Sequence, residues 1–308
     1  MKEVRTGYGL GVFWSLTSAV LWSSTFVAAR YLLGQEGVHP LALSFLRFAL
    51  GAAALLSLGI GKQTSALWRV RPADVPVLAG LALFGMVGMS GLLFWGQQIT
   101  TAVNASLIMQ VSPILVLLGG VAFGERIVWR QVGGIFLSCL GCLMVVDVVG
   151  LHGVRFDTGH LLGDLLVLGA AGCWAVYTLA GKFVVARLGG FVTTTLAMIC
   201  GALEFGVIIL VVSVPLAWPA HAGAWAAVLY LALLPTAVAF YAWYEAMNRI
   251  EWALLNIMQY LTPVFTILLA TLLLDERMKG IQVVGMALVL AGVLITGAGQ
   301  GRRGHAWD

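Results

Sequence analysis

The sequence predicts an all-α integral membrane protein in which ten transmembrane helices form two inverted five-helix repeats. Three observations carry this prediction: an extreme apolar composition, a series of uncharged stretches long enough to cross a bilayer, and a set of motifs that occurs twice. Of the 308 residues, 61% are hydrophobic and 10% are charged, and the mean hydropathy is +0.99. In soluble domains about 25% of the residues are charged. This composition excludes a soluble enzyme, a nucleic-acid-binding domain and a disordered chain.

Ten stretches are long and apolar enough to span a membrane, which requires about 20 residues for each helix. We place them near residues 10–32, 40–60, 75–97, 102–122, 131–149, 161–182, 191–215, 223–246, 252–273 and 280–298. The first is too long for a cleaved signal peptide and lacks a small-residue cleavage site. The loops and tails then share roughly 108 residues, which leaves no room for a soluble domain.

The distribution of Lys and Arg predicts the orientation of these helices. With the amino terminus inside the cell, twelve basic residues fall on the cytoplasmic side: Lys2, Arg5, Lys62, Arg69, Arg71, Arg126, Arg130, Lys182, Arg187, Arg249, Arg302 and Arg303. Four fall on the other side: Arg30, Arg155, Arg277 and Lys279. Cytoplasmic loops carry the excess of basic residues, so both termini are predicted to be cytoplasmic. The net charge of +4 then reflects topology, and no nucleic-acid partner is expected.

A set of residues recurs about 150 positions later in the chain. Ile108-Met109-Gln110 and Pro113 return as Ile257-Met258-Gln259 and Pro263, and Gln131, Gly134 and Gly141 return as Gln282, Gly285 and Gly292. The repeat divides the chain into residues 1–150 and 151–308, with five helices each. Because five is odd, the second half is inverted relative to the first, as in many secondary transporters. The spaced glycines are explained by close helix packing.

The half-repeat resembles the EamA domain of the drug/metabolite transporter superfamily. The resemblance rests on Trp22-Ser23-Ser24-Thr25-Phe26, on Gly124-Glu125-Arg126 after a helix with a proline, and on the spaced glycines, and it covers residues 10–298. It departs from the family pattern at Ser23, where glycine is usual, and at Asp275-Glu276-Arg277. Such proteins are ten-helix inner-membrane carriers, mostly exporters of amino acids and related metabolites, including aromatic amino acid exporters of the YddG type. The resemblance implies a small-molecule substrate and a location in the lipid of a bacterial-type inner (plasma) membrane, and it implies no obligate protein partner.

Pro113 and Pro263 fall near the middle of their helices. A proline removes a backbone hydrogen bond and frees a carbonyl about one turn earlier, and hydrocarbon does not tolerate this unless a cavity or a neighbouring helix covers the group. Polar residues accompany both prolines, namely Ser106 and Gln110 beside Met109 in the first half, and Asn256, Gln259 and Thr266 in the second. Two interpretations stay open: these side chains line a midplane cavity, or they form interhelical hydrogen bonds.

Aromatic residues are further candidates for a substrate pocket. Trp22 and Trp174 lie deep in the first and sixth helices, and Trp95, Gln98, Tyr177, Phe240 and Tyr244 complete this group. Aromatic rings can stack on a substrate side chain or meet its ammonium group. The alternative is packing within the protein. Aromatics near helix ends usually belong to the interfacial belt, to which we assign Trp68, Trp129, Trp218, Trp225 and Trp307.

Two charged residues lie inside predicted spans, Arg47 in the second and Glu204 in the seventh. Because a buried charge costs several kcal/mol unless it is paired or hydrated, such residues are functional hypotheses by default. Arg47 is a candidate ligand for a substrate carboxylate, and the alternative is snorkelling toward the headgroups. Glu204 is a candidate carrier of a coupling proton. For both residues, a mutual or backbone-satisfied pair remains the structural alternative.

These observations predict a secondary transporter that exports small metabolites, with amino acids, including aromatic ones, as the best candidates. The mechanism would be alternating access around a midplane cavity lined by the first, third, fourth, sixth, eighth and ninth helices. The alternatives are an exporter of other drug-like or metabolite solutes, and a membrane receptor or scaffold that does not transport. No enzyme is predicted, because the sequence lacks a nucleophile–base set and a metal-binding motif. No metal and no cofactor are expected.

Overall fold

The computed structural model describes residues 2–58, 70–100, 105, 108–122, 124, 128–145, 161–213, 216–274 and 280–297, and all regular secondary structure in these ranges is helical. The first half contains α1 (Lys2–Arg30, extended by a π-helical turn over Tyr31–Gln35), α2 (Pro40–Leu58), α3 (Val75–Ala82, a π-helical turn over Leu83–Gly88, and Met89–Ile99), α4 (Ser112–Ala122) and α5 (Trp129–Val145). The second half contains α6 (Leu161–Leu188), α7 (Gly190–Val212), α8 (Ala222–Leu231, a π-helical turn over Ala232–Val238, and Ala239–Met247), α9 (Trp252–Ile257 and Leu261–Leu274, joined by a 3-10 turn over Met258–Tyr260) and α10 (Gly280–Gly297).

The helices have the length and surface of membrane spans. Within the described ranges, six stretches are long and apolar enough to cross a bilayer: Gly7–Gln35, Pro40–Leu58, Pro72–Ile99, Leu161–Leu188, Gly190–Val212 and Ala222–Met247. Large apolar side chains are exposed on the outer faces, among them Leu210, which is 79% exposed, and Leu294, which is 72% exposed. A hydrocarbon environment accommodates such surface, whereas soluble proteins rarely expose so much of it. The chain is a multi-pass membrane protein with the predicted ten-helix fold.

The fourth and ninth spans differ from the continuous helices predicted for 102–122 and 252–273. In the first half a turn at Gln110 precedes α4, and in the second half a 3-10 turn divides α9. The cause is proline, which cannot donate to the carbonyl four residues earlier. At Pro113 the carbonyl oxygen freed in this way belongs to Met109, and it accepts a hydrogen bond from Ser112 Oγ at 2.8 Å. The side chain of Ser112 thus replaces the missing backbone donor.

The packing of α5 against α10 shows directly that the two halves are inverted. A methyl group added at Gly141 would lie 2.6 Å from the carbonyl oxygen of Gly285, and one added at Gly292 would lie 2.5 Å from that of Gly134. As the numbers rise along α5, its contacts move to lower numbers on α10, so these equivalent helices are antiparallel. α2 and α7 are also antiparallel, because a methyl group added at Gly51 would lie 3.4 Å from Met198 Sδ and one added at Gly206 would lie 3.7 Å from the Phe45 ring.

Helices of opposite halves also pack in mixed pairs, among them α1 with α8 and α3 with α6. At one end of the first pair, His221 Nε2 lies 2.6 Å from a Glu36 carboxylate oxygen. In the second pair, Asp74 before α3 forms an ion pair with Arg187 at the end of α6. At the other end of α3, the Thr100 hydroxyl donates to the Asp164 carboxylate. Each mixed pair therefore joins the two halves of the molecule.

The orientation predicted from the basic residues can be tested at the two ends of α8. Lys62, Arg126, Arg155 and Lys279 lie outside the described residues, whereas Ala220 and Asn248 are exposed and flank α8. In a variant without its native cysteines, we expect Ala220→Cys to react with an impermeant thiol reagent added outside intact cells. Asn248→Cys should react with the same reagent only after the cells are permeabilised. Labelling of both positions from the same side would contradict the predicted crossing by α8, and the reverse pattern would invert the orientation.

Candidate substrate cavity

A cavity lies where the two halves meet. It encloses about 600 Å³ of empty space, including the part that opens to its surroundings, and its described lining consists of Trp22, Thr25, Phe26, Arg47, Met89, Leu93, Met109, Gln110, Trp174, Phe240, Gln259 and Thr262. These residues lie on or beside α1, α2, α3, α4, α6, α8 and α9. The sequence predicts six of these helices as lining the cavity, and Arg47 adds α2 to them.

An aromatic cluster forms one wall of this cavity. The Trp22 ring contacts Trp174 at a centroid distance of 5.0 Å and Phe240 at 5.6 Å, in both cases edge to face. Trp243 closes the cluster, 5.4 Å from Trp22 and 5.6 Å from Trp174. Edge-to-face contacts of this kind stabilise aromatic packing beyond the area they bury. Trp22 and Trp174 therefore belong to a preformed aromatic wall and also present surface to the cavity.

Arg47 brings a positive charge to the cavity. Its side chain is 3% exposed, and its Nε donates to Thr236 Oγ1 at 2.9 Å. The guanidinium carbon lies 5.2 Å from the centre of the Phe94 ring and 5.4 Å from that of Phe48, within the range of a cation–π contact. Arg47 thus faces the interior of the helix bundle and does not extend toward the headgroups.

Arg47 and Glu204 do not form the mutual pair that the sequence leaves open as an alternative to functional roles. Neither residue takes part in the ion pairs found among the described residues, and Glu204 Oε2 is buried without a hydrogen-bond partner in that part of the protein. Glu204 lies in α7 and is not among the described lining residues. If Glu204 carries a coupling proton, that proton must therefore reach the cavity through groups other than the Glu204 side chain.

The polar residues near the two prolines meet at the interface between the halves. Gln110 and Gln259 both line the cavity, and Ser112 Oγ lies 3.4 Å from Gln259 Oε1. Asn256 is 2% exposed and lies behind this surface, outside the described lining. The structure thus combines both interpretations left open by the sequence, because the same group of residues faces the cavity and contacts a neighbouring helix.

Tyr177 and Tyr244 lie behind the aromatic wall. Both are fully buried, their rings stack at 5.2 Å, and Tyr177 contacts Phe240 at 6.1 Å. Neither is among the described lining residues. A methyl group added at Gly85 would lie 2.1 Å from the Tyr177 ring, so the π-helical turn of α3 accommodates this ring only because residue 85 is glycine. The two tyrosines support the wall from behind.

Trp95 and Gln98 do not reach the cavity. Trp95 is 38% exposed and has its ring 6.5 Å from that of His39, and Gln98 is also exposed. The inward position is occupied instead by Phe94, which is fully buried against Arg47. A π-helical turn accommodates about one extra residue, so the turn over Leu83–Gly88 rotates the later part of α3 relative to a regular helix. If the helical periodicity of the first part of α3 is extended through this turn, it gives the wrong face for Trp95 and Gln98.

Five lining residues were not selected from the sequence: Thr25, Phe26, Met89, Leu93 and Thr262. Thr25 and Phe26 follow Trp22 by three and four positions, so helical spacing places them on the same face and was a usable signal. Met89 and Leu93 are ordinary apolar residues in an apolar helix, and nothing in their chemistry distinguishes them from lipid-facing neighbours. Thr262 lies next to Pro263 in the divided helix.

Comparison with known proteins identifies the family of this fold. The model of the EamA-like transporter family matches the chain twice, over residues 9–147 and 161–298. The chain belongs to the EamA-like transporter family. Because this family consists of membrane transporters, the chain is a membrane transporter and not an enzyme. The two matched ranges lie one in each half described above.

Similar proteins carry names that describe export. A protein of Streptantibioticus cattleyicolor named "Probable terminal-alkyne amino-acid exporter" is 34% identical over 92% of both chains. The "Aromatic amino acid exporter YddG" of Ancylobacter novellus is 25% identical over 91% of this chain and 94% of its own. The "Probable amino-acid metabolite efflux pump" of Escherichia coli K12 is 28% identical over 91% of this chain and 92% of its own. A solved crystal structure of a protein that is 25% identical in sequence to this chain superposes on it with a TM-score of 0.80, over 97% of this chain and 98% of that chain.

Proposed function

We propose that this EamA-like protein exports small amino-acid metabolites, including aromatic ones, by alternating access around the cavity between its halves. The observation that carries the proposal is the composition of the cavity wall, to which both halves contribute. Trp22, Arg47 and Gln110 come from the first half, and Trp174, Phe240 and Gln259 come from the second. A site at the interface of two inverted halves opens to alternate sides when the halves exchange conformations.

The chemistry of the wall fits amino-acid-derived solutes. The aromatic rings provide a surface on which an apolar or aromatic side chain can stack. Arg47 provides a guanidinium, which binds a carboxylate through two parallel hydrogen bonds. The names of the three relatives, all of which refer to amino acids or their metabolites, support the same substrate class. The proposal includes an inner (plasma) membrane location with both termini in the cytoplasm.

Flux measurements in liposomes test this function. Purified protein should exchange labelled phenylalanine or related metabolites across the membrane at a rate that saturates with substrate concentration. The same assay with other metabolite and drug-like solutes distinguishes amino-acid export from broader export. Correctly folded protein that exchanges none of these solutes would favour the alternative of a receptor or scaffold.

Coupling to protons is a separate prediction that concerns Glu204. If Glu204 carries the proton, Glu204→Gln fixes an uncharged side chain of nearly the same size and should abolish accumulation driven by a pH gradient. Exchange of substrate down its own gradient should continue, because the helices that exchange conformations are intact. Glu251→Gln, which changes an exposed carboxylate in the loop before α9, is the matched control. Undiminished pH-driven accumulation by Glu204→Gln would show that the carboxylate has no coupling role.

A further inference from the structure

Arg47 is a buried positive charge for which the described part of the protein supplies no anion. The described ion pairs join Asp74 with Arg187, Glu36 with His221, and Glu245 with Arg249. Its contacts are the neutral hydroxyl of Thr236 and the two phenyl rings described above. Breaking or omitting one partner of a buried ion pair is strongly unfavourable. An anion that enters the cavity would therefore neutralise a charge for which the described parts of the helices supply no counter-ion.

Among the described residues, the polar groups that line the cavity beside Arg47 are neutral. The described lining contains no carboxylate, and its polar side chains besides Arg47 are those of Thr25, Gln110, Gln259 and Thr262. The carbonyl of Met109, which Pro113 leaves without its helical donor, already accepts a hydrogen bond from Ser112. The positive end of the α4 dipole begins next to this position and adds to the positive potential. An ammonium group would thus meet neutral acceptors and ring faces, and Arg47 would repel it.

We propose that the cavity prefers monoanionic carboxylates, in which the amino group of an amino acid is acylated or absent, to the zwitterionic amino acids themselves. This inference rests on the proposed function and defines its substrate class more narrowly. The carboxylate pairs with Arg47, the side chain packs on the aromatic wall, and an acyl amide offers a neutral polar group to the neutral lining. A free amino acid makes the same first two contacts but also carries an ammonium charge into the cavity, where the described lining offers no carboxylate to receive it.

A series of ligands with one side chain and different charges tests this preference at pH 6.0, where the carboxylates are ionised and an α-amino group next to an amide is protonated. N-acetyl-phenylalanine and 3-phenylpropanoate are monoanions, phenylalanine is a zwitterion, N-acetyl-phenylalanine amide is neutral and phenylalanine amide carries the ammonium without the carboxylate. Their affinities for the purified full-length protein can be measured by calorimetry and their fluxes in liposomes. We expect both monoanions to bind at least tenfold more tightly than phenylalanine, and the two amides to bind more weakly still.

Two variants show whether Arg47 causes the preference. Arg47→Gln should reduce the difference in affinity between N-acetyl-phenylalanine and phenylalanine to threefold or less, mainly because the anion binds more weakly. Arg47→Lys keeps the positive charge but lacks the planar guanidinium that binds a carboxylate through two hydrogen bonds, and it should retain part of the difference in affinity. If Arg47→Gln does not fold, the ligand series with the unchanged protein still decides the question.

The outcomes separate this inference from the proposed function. Phenylalanine that binds and is transported as well as the monoanions would overturn the charge preference and leave export of amino acids intact. Folded protein that neither binds nor transports any member of the series would overturn both. A monoanion preference that survives unchanged in Arg47→Gln would overturn the role of Arg47.

Discussion

Replacing Trp174 by alanine should weaken the binding of an aromatic substrate by roughly 5- to 150-fold, the equivalent of about 1–3 kcal/mol of lost contact. Trp174 lines the cavity and contacts Trp22, Phe240 and Trp243, so the truncation removes ring surface from the wall and loosens its neighbours. Trp22→Ala should have an effect of the same size. Concentration-dependent flux in liposomes measures the change in apparent affinity for each variant.

The controls separate a pocket role from a packing role. Trp174→Phe keeps an aromatic ring and should retain more of the affinity than Trp174→Ala. Trp225→Ala removes a tryptophan that is 39% exposed and lies outside the described lining, and it should leave transport unchanged. If Trp22→Ala and Trp174→Ala both fold and transport with normal affinity, these tryptophans serve packing alone.

The second large effect concerns the stability of the contact between α5 and α10. Gly141→Leu places a side chain where even a methyl group would lie 2.6 Å from the Gly285 carbonyl oxygen and 2.7 Å from the Val289 backbone nitrogen. Because both neighbours are backbone atoms, they cannot rotate away, and the helices must separate. Overpacking of this kind costs about 1–3 kcal/mol and sometimes more. We expect a clearly lower unfolding temperature of the purified protein in detergent.

Gly133 provides the matched control on the same helix. A methyl group added there would meet nothing within 4 Å, and Gly133 is exposed. Gly133→Leu should therefore leave the unfolding temperature nearly unchanged, or raise it slightly because leucine has the higher helix propensity. Equal effects of the two substitutions would show that α5 and α10 do not pack as closely as the structure indicates.

The fold could be predicted from the sequence because its determinants are local or repeated. Apolar length predicts a membrane span at each helix, and the recurrence of Gln131, Gly134 and Gly141 as Gln282, Gly285 and Gly292 reveals the duplication. An odd number of spans in each half then requires inversion. The contacts of Gly141 with Gly285 and of Gly292 with Gly134 confirm the predicted close packing and show that these two helices are antiparallel.

The cavity could be predicted only where a residue was chemically conspicuous in an apolar helix. Arg47, Gln110, Gln259 and the deep tryptophans stand out for this reason, and all of them line the cavity. Trp95 is an aromatic residue near the end of an apolar span, and its type alone does not tell whether it faces the cavity or, as the structure has it, the outer surface. Phe94 and Thr236, which contact Arg47, come from two helices whose relative rotation depends on tertiary packing. A single sequence contains no measure of that rotation.

Accessibility of the cavity from both sides of the membrane tests alternating access most directly. Met109 lines the cavity, and Met109→Cys, in a variant whose four native cysteines are replaced, can be exposed to an impermeant thiol reagent in right-side-out and inside-out vesicles. Alternating access predicts labelling in both preparations, with a ratio of rates that changes when a transported substrate is added. Labelling from only one side, with and without substrate, in a variant that still transports would contradict the account.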